Sequence, residues 1–205
     1  MKQVIVDYIP FSLSPQQIQE SLKENNGKLV VKGVLQRAEA KNQNGRVYPR
    51  DILVRESKKY DQNFVKQNRA LGELDHPDSS VVNLQNVSHN VTEMHFEGEN
   101  LLGTVEILTT PSGNILRELF KNGIKLGISS RGMGSVETVN EDDGGQAMKV
   151  GDDFELIAFD FVSNPSTHGA FMHPMNESVD KNQPVGRTCG EYCKVESIVN
   201  DIMRG

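Results

Sequence analysis

The stretch NVSHNVTEMHFEGENLLGTVEIL, residues 86–108, limits the fold of this chain more than any other. Apolar and polar residues alternate, the pattern breaks at Glu97-Gly98-Glu99-Asn100, and alternation resumes. Successive side chains of a strand point to opposite faces, so a period of two marks a half-buried strand. Two such runs joined by a short glycine-containing turn make a hairpin, and therefore an antiparallel pair. A central antiparallel hairpin argues against a doubly wound parallel sheet, in which every strand is followed by a helix.

The flanking segments extend this reading. Ser14-Pro15 has the chemistry of a helix start, serine as cap and proline at the first position. PQQIQESLKENNG then predicts a helix, with Ile18 and Leu22 four apart and Asn26-Gly27 as the stop. KLVVKGVLQRAEA, residues 28–40, is apolar and β-branched at first and then alternates, as a strand does. KNQNGRVYPR is a loop, and a second helix is expected from Pro49 to about Phe64, with Ile52, Leu53, Tyr60 and Phe64 as its apolar positions. ALGELDHPDSS is a short apolar run ending in a turn. PSGNILRELFKNG is a third helix. IKLGISSRGMGSVETV is extended, Glu141-Asp142-Asp143-Gly144-Gly145 is a turn, and AMKVGDDFELIAFDFVS returns as strand. The expected class is α+β, with a mostly antiparallel sheet or small β-barrel and peripheral helices.

Past Asn164 the pattern fades into polar, irregular sequence, and VESIVNDIMRG at the end suggests a short helix. The expected organisation is one domain over residues 1–170 and a polar tail over 171–205, flexible or processed. The whole chain has 205 residues, a length that suits this division.

Charge and composition exclude several functions. A net charge of −6 argues against a nucleic-acid binder, which needs clustered Lys and Arg on phosphate. No apolar run is long enough to span a membrane, and MKQVIVDYIPFSLS lacks the apolar core of a signal peptide. Cys189 and Cys193 form no disulfide framework, and Glu191 and Tyr192 between them do not complete a zinc set. No cofactor or metal is expected. His76, His89, His95, His168 and His173 include no HExxH pair, although His89 and His95 are spaced to share a strand face.

Two stretches carry more promise. His76 lies in GELDHPD, at the end of an apolar strand and before a proline that fixes the turn. Residues held at the end of a rigid strand are good positions for chemistry. GISSRG, residues 127–132, puts two serines and an arginine into an otherwise extended run. A serine hydroxyl becomes a nucleophile only when a neighbouring imidazole takes its proton and a third group orients that imidazole. Asp160, between Phe159 and Phe161, is a candidate for the third role, since a carboxylate among aromatics is costly to bury unpaired. The alternative is that Asp160 faces solvent while the phenylalanines face inward. The set is thus His76, Ser129 or Ser130, and Asp160, with no GxSxG nucleophile elbow.

GELDHP, GISSRG and DFVSNPS together resemble the motif set of the phage prohead proteases, in particular the prohead core proteases of T-even-like phages. QRAEAKNQNGRVYP resembles the same family's segment ahead of its second helix, so the resemblance runs from about Gly33 to about Ser166. It implies a fold like that of the herpesvirus assemblins, a small barrel with surrounding helices. It implies a serine endopeptidase acting in the host cytoplasm inside the assembling prohead. Its substrates would be scaffolding, core and major capsid proteins and the enzyme itself. By the family pattern His76 is the general base, Ser129 rather than Ser130 the nucleophile, and Asp160 the third member, with His168 in reserve because assemblins use a histidine there. Oxyanion donors would be backbone N–H groups near Ser130, Arg131 and Gly132, with the Arg131 side chain ordering the loop or acting through water. The family cuts after glutamate, and Ile18-Gln19-Glu20 and Met175-Asn176-Glu177 are internal matches. The competing readings are a scaffold protein that keeps the fold without catalysis and an esterase, against which the missing elbow counts. A homo-oligomer is left open.

Overall fold

The computed structural model describes residues 3–11, 14–77, 79–140, 145–163 and 173–174. Fourteen labels suffice for its strands and helices: β1 (Gln3–Phe11), α1 (Pro15–Glu24), β2 (Leu29–Arg37), β3 (Arg46–Val47), α2 (Arg50–Tyr60), β4 (Leu71–Glu73), β5 (Val87–Glu97), β6 (Asn100–Ile107), α3 (Pro111–Lys121), β7 (Leu126–Gly134), β8 (Val136–Asn140), β9 (Gln146–Val150), β10 (Glu155–Val162) and β11 (His173–Pro174).

The helices begin where side-chain chemistry lets them. Ser14 Oγ accepts from the Gln17 N–H at 3.2 Å and Gln17 Oε1 accepts from the Ser14 N–H at 2.9 Å, a capping box that opens α1. Thr110 caps α3 by accepting from the Gly113 N–H at 3.1 Å. After Tyr60, α2 widens into a π turn over Asp61–Val65, so the helix expected to reach Phe64 is an α-helix with a π ending.

The expected hairpin is β5–β6. It is the centre of a five-stranded sheet in the order β11-β2-β6-β5-β4. A second sheet has the order β1-β7-β10, and a third β3-β9-β8. All pairings are antiparallel except β3 with β9 and a single parallel bridge, Leu74 to Phe161. That bridge joins the five-stranded sheet to the one containing β7. The mixed α+β, mostly antiparallel architecture is as expected. The closed barrel is not: the hydrogen-bonded strands among the described residues form three sheets instead.

Other differences have local causes. The run expected to be one strand over residues 147–163 is two, β9 and β10, in different sheets. Gly151-Asp152-Asp153 turns the chain between them. Ser135 separates β7 from β8, its N–H and Oγ both donating to Asp153 Oδ1, at 2.8 and 2.7 Å. β1 was not anticipated as a strand, yet it pairs with β7 along its whole length, Gln3 with Gly134 through Phe11 with Leu126. β11 lies past residue 170, the expected domain end, and pairs with β2 through His173–Lys32 and Pro174–Val31. The terminal helix expected in VESIVNDIMRG lies outside the described residues.

The core fills the space under the sheets with Leu29, Val31, Leu53, Tyr60, Val91, Val105, Leu116, Phe120, Phe159 and Phe161, all 2% exposed or less. Aromatic edges meet around β10: Tyr60 against Phe159 at 5.7 Å, and Phe120 against Phe161 at 5.6 Å.

Candidate active site

The serine-containing stretch LGISSRG lies in β7, the middle strand of its sheet, and every residue of it is buried. Ser129 is the register partner of Asp160 on β10. Directly opposed residues of an antiparallel pair present their side chains on the same face and close together. Asp160 therefore does not face solvent. Both it and its phenylalanine neighbours are 0% exposed, because β10 is covered on both faces.

β4 delivers the histidine. Beyond it, Leu74 bridges to Phe161, and the Asp75 N–H donates to the Phe161 carbonyl at 2.7 Å. Asp75 then takes a left-handed backbone, φ 70°, which aspartate tolerates better than most residues. Its Oδ1 accepts from the His76 N–H at 2.9 Å. This turn lays the imidazole across β10 and β7. His76 Nδ1 is 2.9 Å from Asp160 Oδ2, and Nε2 is 3.0 Å from Ser129 Oγ. The His76 side chain is 18% exposed, whereas Ser129 is 0% exposed.

Ser130 points to the other face of β7, as a period of two requires. Its Oγ accepts from Gln36 Nε2 at 3.0 Å, in a buried bond. The geometry thus separates two serines that spacing alone left equivalent. Gly132 lies where a Cβ would come within 2.3 Å of the Phe154 ring, so its bare backbone permits that packing. The main chain of Ser130, Arg131 and Gly132 is paired to both β1 and β10. A bulge between Leu156 and Ala158, opposite Gly132 and Arg131, interrupts the second ladder.

Arg131 is not a surface arginine, and its contact with the Ser79 carbonyl ties it to the loop after His76. It is 0% exposed and stands on the far side of Asp160. Nε donates to Asp160 Oδ2 at 2.7 Å, and one Nη2 reaches Asp160 Oδ1 at 3.2 Å and Glu73 Oε1 at 3.0 Å. The other terminal nitrogen donates to the Ser79 carbonyl. Asp160 Oδ1 also accepts from the Glu73 N–H at 2.9 Å. Burial alone would push the Asp160 carboxyl up. The hydrogen bonds from His76 and Arg131, the guanidinium charge and the Glu73 N–H outweigh it and hold Asp160 below the usual carboxylate range.

Glu73 is the residue that sequence reasoning missed. It is 0% exposed in the short apolar run before His76, and Oε1 also accepts from the Asn83 N–H at 3.0 Å. Like Asp160, it is a carboxylate among apolar residues and needs a buried partner.

His89 and His95 do not share a face. The bulge between Val91 and Glu93 reverses the alternation, leaving His89 buried and His95 exposed. His89 Nε2 is 2.8 Å from the Phe159 carbonyl, an acceptor only, so that nitrogen carries the proton and Nδ1 accepts from Ser88 Oγ at 2.8 Å. Burial pushes its pKa down to about 4, against the opposing pull of Asp160 and the Phe159 carbonyl. His168, Met175 and Glu177 lie outside the described residues. Ile18 is buried in α1 and Glu20 belongs to the same helix, so that internal glutamate site is not presented as an extended peptide while α1 is folded.

Comparison with known proteins places the chain in a family. The model of the family of prohead core protein serine proteases matches residues 5–181. The prohead core protein protease of Enterobacteria phage T4 is 31% identical over 173 residues, covering 83% of this chain and 78% of that protein. The solved structure of the bacteriophage T4 capsid assembly protease matches with a TM-score of 0.66 at 22% identity, over 80% of this chain and 99% of that one, a likeness of fold. On the extent of the family match and the identity to a curated member, this chain belongs to the prohead core protein serine protease family.

Proposed function

We propose that this chain is the serine endopeptidase that matures a phage prohead, with Ser129 as nucleophile, His76 as general base and Asp160 as its orienting carboxylate. The continuous hydrogen-bonded line from Ser129 Oγ through both nitrogens of His76 to Asp160 carries the reading. His76 Nε2 takes the hydroxyl proton as Ser129 attacks the scissile carbonyl. Asp160 holds Nδ1–H, which fixes the tautomer that leaves Nε2 free to accept. The imidazolium then protonates the leaving amine, and water resolves the acyl-enzyme. By likeness to the family, oxyanion donors are assigned to backbone N–H groups near Ser130, Arg131 and Gly132; this stretch is paired on both sides, so a ladder bond beside the β10 bulge must yield to supply them. Such donors contribute about 3 kcal/mol each in hydrolases where they have been removed.

The substrates in this reading are the scaffolding, core and major capsid proteins of the same phage, cut after glutamate inside the assembling head in the host cytoplasm. The kinship of fold with herpesvirus assemblins belongs to the same reading, though no step depends on it. Co-expression with those head proteins tests it. Ser129→Ala is expected to lower cleavage by at least about a thousandfold. Ser130→Ala is expected to retain cleavage. Full cleavage by Ser129→Ala would sink the assignment, and no cleavage by the wild type would favour a scaffold role that keeps the fold.

A further inference from the structure

The buried group behind Asp160 is larger than a catalytic triad needs. Arg131 and Glu73 are each 0% exposed, their ion pair is 3.0 Å long, and the guanidinium also grips both Asp160 oxygens. Burying an arginine and a second carboxylate is costly, and a buried ion pair rarely returns more stability than packed apolar residues would. Four of the guanidinium's hydrogen bonds run to Asp160, Glu73 and Ser79, so its fork is committed here and not to an oxyanion.

With His76 neutral, Arg131, Glu73 and Asp160 sum to one negative charge. With His76 protonated the four groups together sum to zero. We propose that Arg131 and Glu73 are positioning residues of the proteolytic site: the guanidinium fixes both oxygens of Asp160 for His76, and Glu73 offsets the guanidinium, so that the buried cluster becomes neutral as His76 takes the Ser129 proton. The proposal rests on the serine-protease reading and deepens it. Without Glu73 the guanidinium would disfavour imidazolium. Without Arg131 two carboxylates would overstabilise it and leave Asp160 free to turn.

The groups facing His76 are few. Asp160 comes from β10 and Ser129 from β7, and Asp75 accepts the His76 N–H. Among the described residues, Tyr60 and His89 also feel the Asp160 charge. Burial raises the Tyr60 hydroxyl and lowers His89 to about 4, so both stay neutral from about pH 5 to 9.

A fluorophosphonate reagent tests this without a known substrate, because Ser129 Oγ attacks its phosphorus and displaces fluoride only when neutral His76 can take the hydroxyl proton. The labelling rate is followed by intact mass across about pH 5 to 9, for wild type and variants. Glu73→Gln keeps the shape, and Glu73 Oε2 has no hydrogen-bond partner to lose. Its labelling midpoint is expected to fall by about one pH unit. Arg131→Met is expected to raise the midpoint by a similar amount, and the double variant to return it toward wild type while labelling slowly. Opposite displacements are a signature that a merely structural pair would not give. If Arg131→Met does not fold, Glu73→Gln alone decides: an unchanged or raised midpoint overturns the proposal. Absence of labelling in the wild type both without urea and in low urea, or equal labelling of Ser129→Ala, would overturn the protease reading itself and this proposal with it.

Discussion

Gly72 sets how closely β4, β5 and β10 approach. A Cβ there would lie 1.9 Å from the Phe159 carbonyl oxygen and 2.2 Å from His89 Nε2. The missing side chain is what lets the His89 ring reach across β4 to Phe159, one residue before Asp160. Because one obstacle is backbone, Gly72→Ala is expected to cost about 3 kcal/mol, read as a lowered urea midpoint with an unchanged slope. A loss under half that would mean that the strands yield. Individual residues were legible where a motif named them. His76, Ser129 and Asp160 could be picked out because each stands against the grain of its neighbours, and the structure brings those three together. The partners of Arg131 were not legible, because Ser79 and Glu73 reach it from sequence positions more than fifty residues away. Glu73 was readable in principle, since a carboxylate inside Leu-Gly-Glu-Leu asks for a buried partner.

At the level of elements, the hairpin and the three helices follow from periodicity and capping residues, which are local. Bulges are not local. Those in β2, β5 and β10 shift the register against a neighbouring strand, and in β2 and β5 the shift reverses which side chains face inward. One of them buries His89, and this has a measurable consequence. The unfolded chain binds a proton at His89 below about pH 6.5, whereas the folded chain resists until about 4. The unfolded state therefore holds more protons between those values, and stability falls as pH falls through that window. The full loss is on the order of 3 kcal/mol. Urea unfolding of wild type and His89→Gln at intervals from about pH 7 to 4 is expected to show a shallower pH dependence in the variant. Equal dependence would place the proton uptake elsewhere.

Across the whole molecule, the site occupies the seam between two sheets. β7 and β10 supply Ser129 and Asp160 from one, β4 leads to His76 from the other, and the Leu74–Phe161 bridge joins them. Such an arrangement is invisible to any reading by segments, because it depends on which edges meet. It also leaves Ser129, the proposed nucleophile, 0% exposed. A group so enclosed reacts only during the fraction of time its enclosure is breached, so turnover is scaled by an opening equilibrium as well as by chemistry. With Ser129 as the proposed nucleophile, the protease is latent by default, and anything that favours the breached form works as its switch. Low urea, below the unfolding transition, should accelerate labelling of Ser129 by the same fluorophosphonate. A rate that is flat or falls from the first addition would show that the closed form is already the reactive one. A chain built this way carries its safety catch in its packing, and releasing it requires force on the seam rather than removal of an inhibitor.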